Sequence, residues 1–241
     1  MKVPKLFNNW KIFESNLGFA PSETIKIKLD KYYKILLAEN AKYNLTRITS
    51  EKEVYEKHFL DSLLFTKEHK LSNEKIIDIG TGPGFPGIVL KIFFPEIEIT
   101  LIDSNNKKVN FLNILIEKLN LKKITAKHVR AEELARIENE HYDIVISRAV
   151  AYLDVILELG VRFTKIEGKV ILLKGPKADE EILNSKNIAE KLKVTLTAKQ
   201  ILKDTGFGER INLFYTKTKS TPDLYPREYA RIVKESGKKH A

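Results

Sequence analysis

Ten consecutive residues constrain this chain more than any others: Asp78-Ile79-Gly80-Thr81-Gly82-Pro83-Gly84-Phe85-Pro86-Gly87. A short apolar run, Lys75-Ile76-Ile77, precedes them, and Ile88-Val89-Leu90 follows. Strand, glycine-rich turn and helix in that order form the nucleotide corner of a doubly wound α/β sheet.

Two patterns overlap in the turn. Gly82 to Gly87 satisfies the dinucleotide spacing G-x-G-x-x-G, and Asp78 to Gly84 satisfies D-x-G-x-G-x-G, the first motif of S-adenosylmethionine-dependent methyltransferases. A pyrophosphate needs free backbone N–H groups at the helix N-terminus. Pro83 and Pro86 each lack that donor, which makes the turn a poor anion cradle, whereas Pro86 suits the first turn of a helix. A sulfonium cofactor carries no phosphate. It asks for close backbone approach and a carboxylate near its cationic end, which Asp78 can supply directly or through water. A second apolar run, Ile97 to Ile102, ends in Asp103. An acid there accepts hydrogen bonds from both ribose hydroxyls of an adenosine, for either cofactor. The competing role for Asp103 is a helix cap, which Ser104 or Asn105 fills equally well.

Alternating strands and helices continue along the chain. Lys123–Val129, Tyr142–Ser147 and Lys169–Lys174 read as strands, Leu153–Phe163 and Ala178–Leu192 as helices, and Lys193–Lys203 with Arg210–Lys217 as a closing antiparallel pair. The pattern predicts a mostly parallel sheet. Upstream, Ile25, Leu29, Tyr32 and Leu36 repeat at helical spacing after a Pro21-Ser22 start, and Glu51–Phe65 is a further helical stretch. The expected organisation is a helical N-terminal extension (1–70), a sheet domain (71–218) and a polar, basic C-terminal tail (219–241).

Composition narrows the function classes. The 241 residues carry a net charge of +10, which fits a polyanionic partner such as nucleic acid. Cysteine is absent, excluding disulfides, thiolate metal sites and a cysteine nucleophile; the five histidines lack ligand spacing, so no metal is expected. No apolar run reaches the length of about 18 residues that spans a membrane, and Met1–Lys5 lacks a signal-peptide core, so a cytoplasmic protein is expected.

An ordered set of motifs then carries a family resemblance over nearly the full length. Asn44-Leu45-Thr46 is followed by His58-Phe59-Leu60-Asp61-Ser62, the glycine corner with Pro86-Gly87, and Asp103-Ser104 with Lys107-Lys108 and Phe111-Leu112. Arg130-Ala131-Glu132, Ser147-Arg148-Ala149-Val150, Lys174-Gly175 and Tyr225-Pro226-Arg227 complete it. The chain resembles the bacterial small-subunit ribosomal RNA guanine-N7 methyltransferases (RsmG, also called GidB). The resemblance implies a class I S-adenosylmethionine-dependent methyltransferase fold, Rossmann-like, with a mostly parallel seven-stranded sheet. It implies S-adenosylmethionine as donor and one guanine in the decoding region of 16S rRNA as target, presented on small-subunit RNA or the 30S particle to a monomeric enzyme. Its cofactor-binding positions map onto Gly80 and Phe85, with Gly82 beside them, then Asp103 with Ser104, Ala131-Glu132, and Arg148.

Bottom-up reasoning agrees at several positions. The loop after a third strand can wrap an adenine edge, and Glu132 is also a favourable acid at a helix N-terminus. Arg148, at the carboxyl edge of the sheet, is placed to clamp the methionine carboxylate or to face RNA. With Lys174 and Arg227 it is an expected RNA contact; Asn44 and Thr46 either line a target pocket or make a turn. Phe85 packs against cofactor or base, or is buried. Pyrimidine C5 methylation usually needs a cysteine nucleophile, and the Asn/Asp-Pro-Pro-aromatic motif of exocyclic-amine methylation is replaced by Ser147-Arg148-Ala149-Val150. Guanine N7 needs neither device, since no proton leaves. No catalytic residue is assigned; Asp61 and Ser62 are candidates for easing product charge or, equally, for helix packing and capping. A nucleotide-dependent oxidoreductase and a non-catalytic RNA-binding module are the competing readings.

Overall fold

The computed structural model describes residues 7–237; residues 1–6 and 238–241 lie outside it. Seven strands form one sheet: β1 (Lys75–Ile79), β2 (Glu98–Asp103), β3 (Ile124–His128), β4 (Tyr142–Arg148), β5 (Thr164–Lys174), β6 (Val194–Leu202) and β7 (Arg210–Lys217). Their spatial order is β3-β2-β1-β4-β5-β7-β6, all parallel except β7, which runs antiparallel between β5 and β6. This is the expected mostly parallel seven-stranded sheet. Central β1 reads as a near-continuous apolar run, because helices cover both of its faces. Edge strand β6 alternates buried and more exposed residues instead.

On one face lie α1 (Lys11–Leu17), α2 (Glu23–Tyr43), α4 (Gly87–Phe93) and α5 (Asn106–Lys118), with α3 (Glu51–Val54). The Ser22 side chain caps α2 by accepting from the Ile25 N–H, and Leu29, Tyr32 and Leu36 are fully buried. These helices share a single core with α4, α5 and the sheet, including Phe59, Phe85, Ile88 and Leu101. On the other face, α6 (Ala131–Leu134), α7 (Leu153–Gly160) and α8 (Ala178–Leu192) cover a second core.

Three local features differ from the sequence reading. The stretch after α3 is irregular, a π-helical turn at Tyr55–Leu60 followed by a 3-10 run at Asp61–Lys67. Strand β5 begins five residues early, with its pairing to β4 shifting register between Tyr142 and Ile144, and Glu167 takes a positive φ there. The C-terminal segment is no simple polar tail: Tyr229–Gly237 forms α9, which packs on α7 and buries Ile232 and Ser236. Its composition is polar because only one short face meets protein.

Candidate functional site

The glycine corner is built by β1 meeting α4. Gly80 N–H and Thr81 N–H both donate to the Ile102 carbonyl (2.9 and 3.2 Å), pinning the turn to the end of β2. Gly80 has φ +66°, and a Cβ there would lie 2.5 Å from Val150 Cγ2, so only glycine fits. The Tyr32 hydroxyl of α2 donates to the Pro83 carbonyl at 2.5 Å, so the N-terminal helices brace the turn directly. The helix itself starts at Gly87 with Pro86 at its N-cap, one position from the expected place.

Asp78 has a different role from the one expected. It is fully buried, and its Oδ2 accepts from Thr81 Oγ1 (2.7 Å) and Gly87 N–H (2.8 Å), tying the two ends of the turn together. Burial pushes its carboxyl up to about 6, against the lowering effect of those two hydrogen bonds. It shapes the corner from beneath and does not line the cleft.

A cleft of about 320 Å³ opens above the carboxyl ends of the first four parallel strands. Gly80, Asp103, Ser104, Ala131 and Glu132 line it, so five of the expected cofactor positions come together there. Asp103 Oδ2 accepts from Gly82 N–H (3.0 Å) and lies 3.5 Å from Lys108 Nζ, while Oδ1 accepts from Asn105 N–H (2.9 Å). Asn105 is the residue that caps α5, its side-chain Oδ1 accepting from Lys107 N–H at 3.0 Å. A carboxylate has about four lone-pair sites, so Asp103 keeps acceptor capacity toward the cleft. Glu132, in the first turn of α6, accepts from Arg130 Nε at 2.5 Å.

A second, more open cavity of about 650 Å³ adjoins the first; Ala149 and Val150 line both and form the wall between them. Ala149 holds φ +54°, the left-handed region that a residue with a Cβ rarely adopts. Arg148 and Lys174 line this cavity together with Lys57, His58, Asp61 and Arg210. Arg148 Nη1 donates to Asp61 Oδ2 (3.1 Å) and to the Lys57 carbonyl (3.1 Å), and Arg210 Nε donates to Asp61 Oδ1 (2.6 Å). One carboxylate thus holds two guanidinium groups. Lys174 Nζ is held by Glu181 and the Ala151 carbonyl, both at 2.7 Å. His58 lies between Arg148 Nη2 (3.2 Å) and Thr46 Oγ1 (3.1 Å); burial first, then the Arg148 charge, pushes its imidazole down to about 3.

Arg148, expected at the cofactor, lines the second cavity and not the first. Six other expected positions line neither. Gly82 donates its N–H to Asp103 Oδ2 (3.0 Å) from outside the lining, and Thr46 makes a turn, its Oγ1 accepting from Ile48 N–H (3.1 Å). Phe85 does not line either cavity: its ring is 3 % exposed, stacked on His58 (4.4 Å) and Tyr32 (5.4 Å), with the Arg148 guanidinium 5.2 Å from its centroid. It is the aromatic floor on which Arg148 rests, because the braced turn swings it toward α2. Asn44 is the exposed left-handed C-cap of α2, outside both linings. Ser62 is buried, donating back to the His58 carbonyl (2.6 Å). Arg227, expected to face RNA, is held by carboxylates: its N–H, Nε and Nη2 donate to Glu158 at 2.7–2.9 Å, and Nη1 donates to Glu235 at 2.5 Å. Arg210, conversely, escaped sequence reasoning, because nothing beside it on β7 marks it as part of the Asp61 cluster. His58 and Asp61, three apart on a helical stretch, carried that signal.

Residues 25–207 match the model of the family described as rRNA small subunit methyltransferase G. A Ribosomal RNA small subunit methyltransferase G of Mesoplasma florum is 81 % identical over 234 residues, covering 97 % of this chain and 99 % of that protein. The protein of the same name from Carboxydothermus hydrogenoformans is 41 % identical, covering 90 % and 94 %. Among solved structures, M. jannaschii TYW2 in complex with AdoMet superposes with TM-score 0.55 at 16 % identity, over 71 % of this chain and 79 % of that one. A SAM dependent methyltransferase from Aquifex aeolicus gives TM-score 0.52 at 14 % identity, over 78 % and 98 %.

Proposed function

Because the chain belongs to the rRNA small subunit methyltransferase G family, we propose that it moves the methyl group of S-adenosylmethionine to N7 of one guanine in the decoding region of 16S rRNA. The observation that carries the reading is the pair of adjoining cavities at the carboxyl edge of the sheet, which share Ala149 and Val150 in their linings. One suits a nucleoside and the other a polyanion's base.

The first cleft fits the cofactor on three counts. Asp103 offers acceptors for a ribose diol, Gly80 lines the cleft where a Cβ would collide with Val150 of the same lining, and Glu132 stands where an adenine edge would meet the loop after β3. When bound there, the cofactor supplies an electrophilic methyl group on a sulfonium. The second cavity carries Lys57, Arg148, Lys174 and Arg210 against Asp61 and Glu181, an excess of positive charge suited to an RNA strand. Arg148 and Lys174 stay proposed RNA contacts, and Arg210 joins them; Arg227 and Asn44 do not.

N7 of guanine attacks with an in-plane lone pair, so no proton leaves and no general base is needed. His58 agrees with that requirement: with its imidazole pushed down to about 3, it is neutral and a poor proton acceptor at pH 7. What the chain supplies is placement, worth several orders of magnitude in rate when reacting atoms are held in line. N7 is reached only through the deep major groove of paired RNA, so the target guanine is unpaired or flipped. The enzyme is proposed to work as a cytoplasmic monomer on small-subunit RNA or on the assembled particle. No group of three or more metal-ligating side chains occurs among the described residues, and no helix among them is long and apolar enough to cross a membrane.

The test is transfer of labelled methyl from S-adenosylmethionine to small subunits lacking the modification, followed by N7-selective strand cleavage. One labelled guanine in the decoding region is expected. Label at another base or atom would move the specificity elsewhere while leaving the family intact.

A further inference from the structure

The C-terminal segment reaches back to the cleft, and one of its side chains, Tyr229, joins the cleft's lining while remaining partly exposed. On α9, Tyr229, Ile232 and Ser236 are spaced three and four apart and share one face. Ile232 is 3 % and Ser236 2 % exposed, but Tyr229 is 38 % exposed. The face is buried where it meets α7 and open where it overhangs the cleft. Among the described residues lining that cleft, Tyr229 is the only aromatic one.

The segment is anchored on both sides of Tyr229. Two residues before it, Arg227 grips Glu158 of α7, a carboxylate only 1 % exposed. After it, Ser236 Oγ donates to Asp154 Oδ1 at 2.8 Å. The ring is also tied to the loop after β3: the Arg130 guanidinium lies 4.6 Å from its centroid, and Arg130 in turn bonds Glu132. The segment itself, with Arg227, Tyr229 and Ser236, lies beyond residues 25–207, the span that the family model covers, while its partners Arg130, Asp154 and Glu158 lie within it.

We propose that residues 225–237 form a strap across the cofactor cleft and that Tyr229 packs against the adenosine of bound S-adenosylmethionine. The proposal rests on the reading of that cleft given above. An adenine presents a flat π-face, and an aromatic side chain is the protein surface that best covers one. The aliphatic wall of Ile102, Val129 and Leu159 supplies apolar contact, and Tyr229 closes the cleft beside Arg130. Arg227 acts as a positioning residue, holding the strap where the ring can reach the ligand.

Titration calorimetry with S-adenosylmethionine and with S-adenosylhomocysteine tests this on the full chain. Both ligands share the adenosine, so Tyr229→Ala should raise both Kd values by the same factor, at least about fivefold. Tyr229→Phe should stay within about twofold of wild type, because it keeps the ring. In the wild-type protein, saturating S-adenosylhomocysteine should slow amide hydrogen exchange across α9, a readout that needs no variant to fold. Unchanged affinity in Tyr229→Ala, or exchange in α9 indifferent to the ligand, overturns the strap while leaving the cleft's assignment in place. Failure of the wild-type protein to bind either ligand overturns both together.

Discussion

Replacing Arg227 by methionine separates a clamp from an RNA contact. Arg227 is 15 % exposed and Glu158 1 %, so the pair is nearly dry. Glu158 accepts three hydrogen bonds from Arg227, one from the backbone N–H (2.9 Å) and two from the guanidinium (2.8 and 2.7 Å). Methionine keeps the aliphatic bulk and the backbone N–H but removes the cation and both guanidinium bonds. Stranding a buried charge in this way costs about 3–5 kcal/mol. The retained N–H bond, and the ease with which a terminal segment lifts to wet Glu158, favour the lower end, about 3 kcal/mol. For a chain of this length each kcal/mol moves Tm by about 2–4 °C, so a drop of about 6–12 °C is expected in thermal unfolding followed by circular dichroism. Adding Glu158→Leu should restore most of it, since the second change removes the stranded charge. A Tm within about 2 °C of wild type, together with weakened binding to small ribosomal subunits, would refute the clamp and return Arg227 to the RNA surface.

Other consequences follow from the same geometry. Gly80→Ala forces a Cβ at φ +66° to within 2.5 Å of Val150, so cofactor affinity by calorimetry should fall at least about tenfold, with a stability loss of about 1–2 kcal/mol. Asp103→Ala removes the proposed ribose acceptor and the partner of Gly82 N–H and should weaken S-adenosylmethionine binding by about tenfold or more; an unchanged Kd would remove its ribose role. His58, pushed down to about 3, leaves the unfolded chain the better proton binder below its ordinary value of about 6.5, so its contribution to stability is full above that pH and lost as pH falls toward 3. Asp78, pushed up to about 6, works in the opposite sense, gaining stability as pH falls from 6 toward its ordinary value of about 3.8; Asp78→Asn should therefore steepen the acid loss in denaturant titrations and His58→Gln should flatten it.

How much of this was legible in the sequence follows the range of the interactions. The sheet was readable because each strand's burial is written in its own five to eleven residues, and the α2 stripe because Leu29, Tyr32 and Leu36 repeat within one helix. The convergence of the proposed cofactor-binding residues on one cleft was readable for the same reason. A doubly wound sheet delivers the carboxyl ends of successive strands to one edge, so Gly80, Asp103 and Ala131-Glu132 had to converge once the strands were placed. The Asp61 cluster has no such local signature. Its two arginines join it across 87 and 149 residues of sequence, and a lone arginine on a strand looks the same whether it faces RNA, solvent or a carboxylate.

Phe85 and Arg227 show the sharper limit. Both sit in the family's motifs, and a motif identifies a position without saying which way its side chain turns. At Phe85 the direction is set by Tyr32, 53 positions earlier, whose hydroxyl draws the Pro83 carbonyl toward α2 and brings the ring to rest beneath Arg148. At Arg227 it is set by Glu158, buried on α7 where an unpaired carboxylate would be costly. In both cases the motif residue serves the site through another residue. Phe85 supports the arginine that faces the second cavity, and Arg227 fixes the strap that carries Tyr229 to the first. A substitution at either position should therefore damage function by displacing a neighbour, with its effect following the order of the supported element instead of the loss of a direct contact.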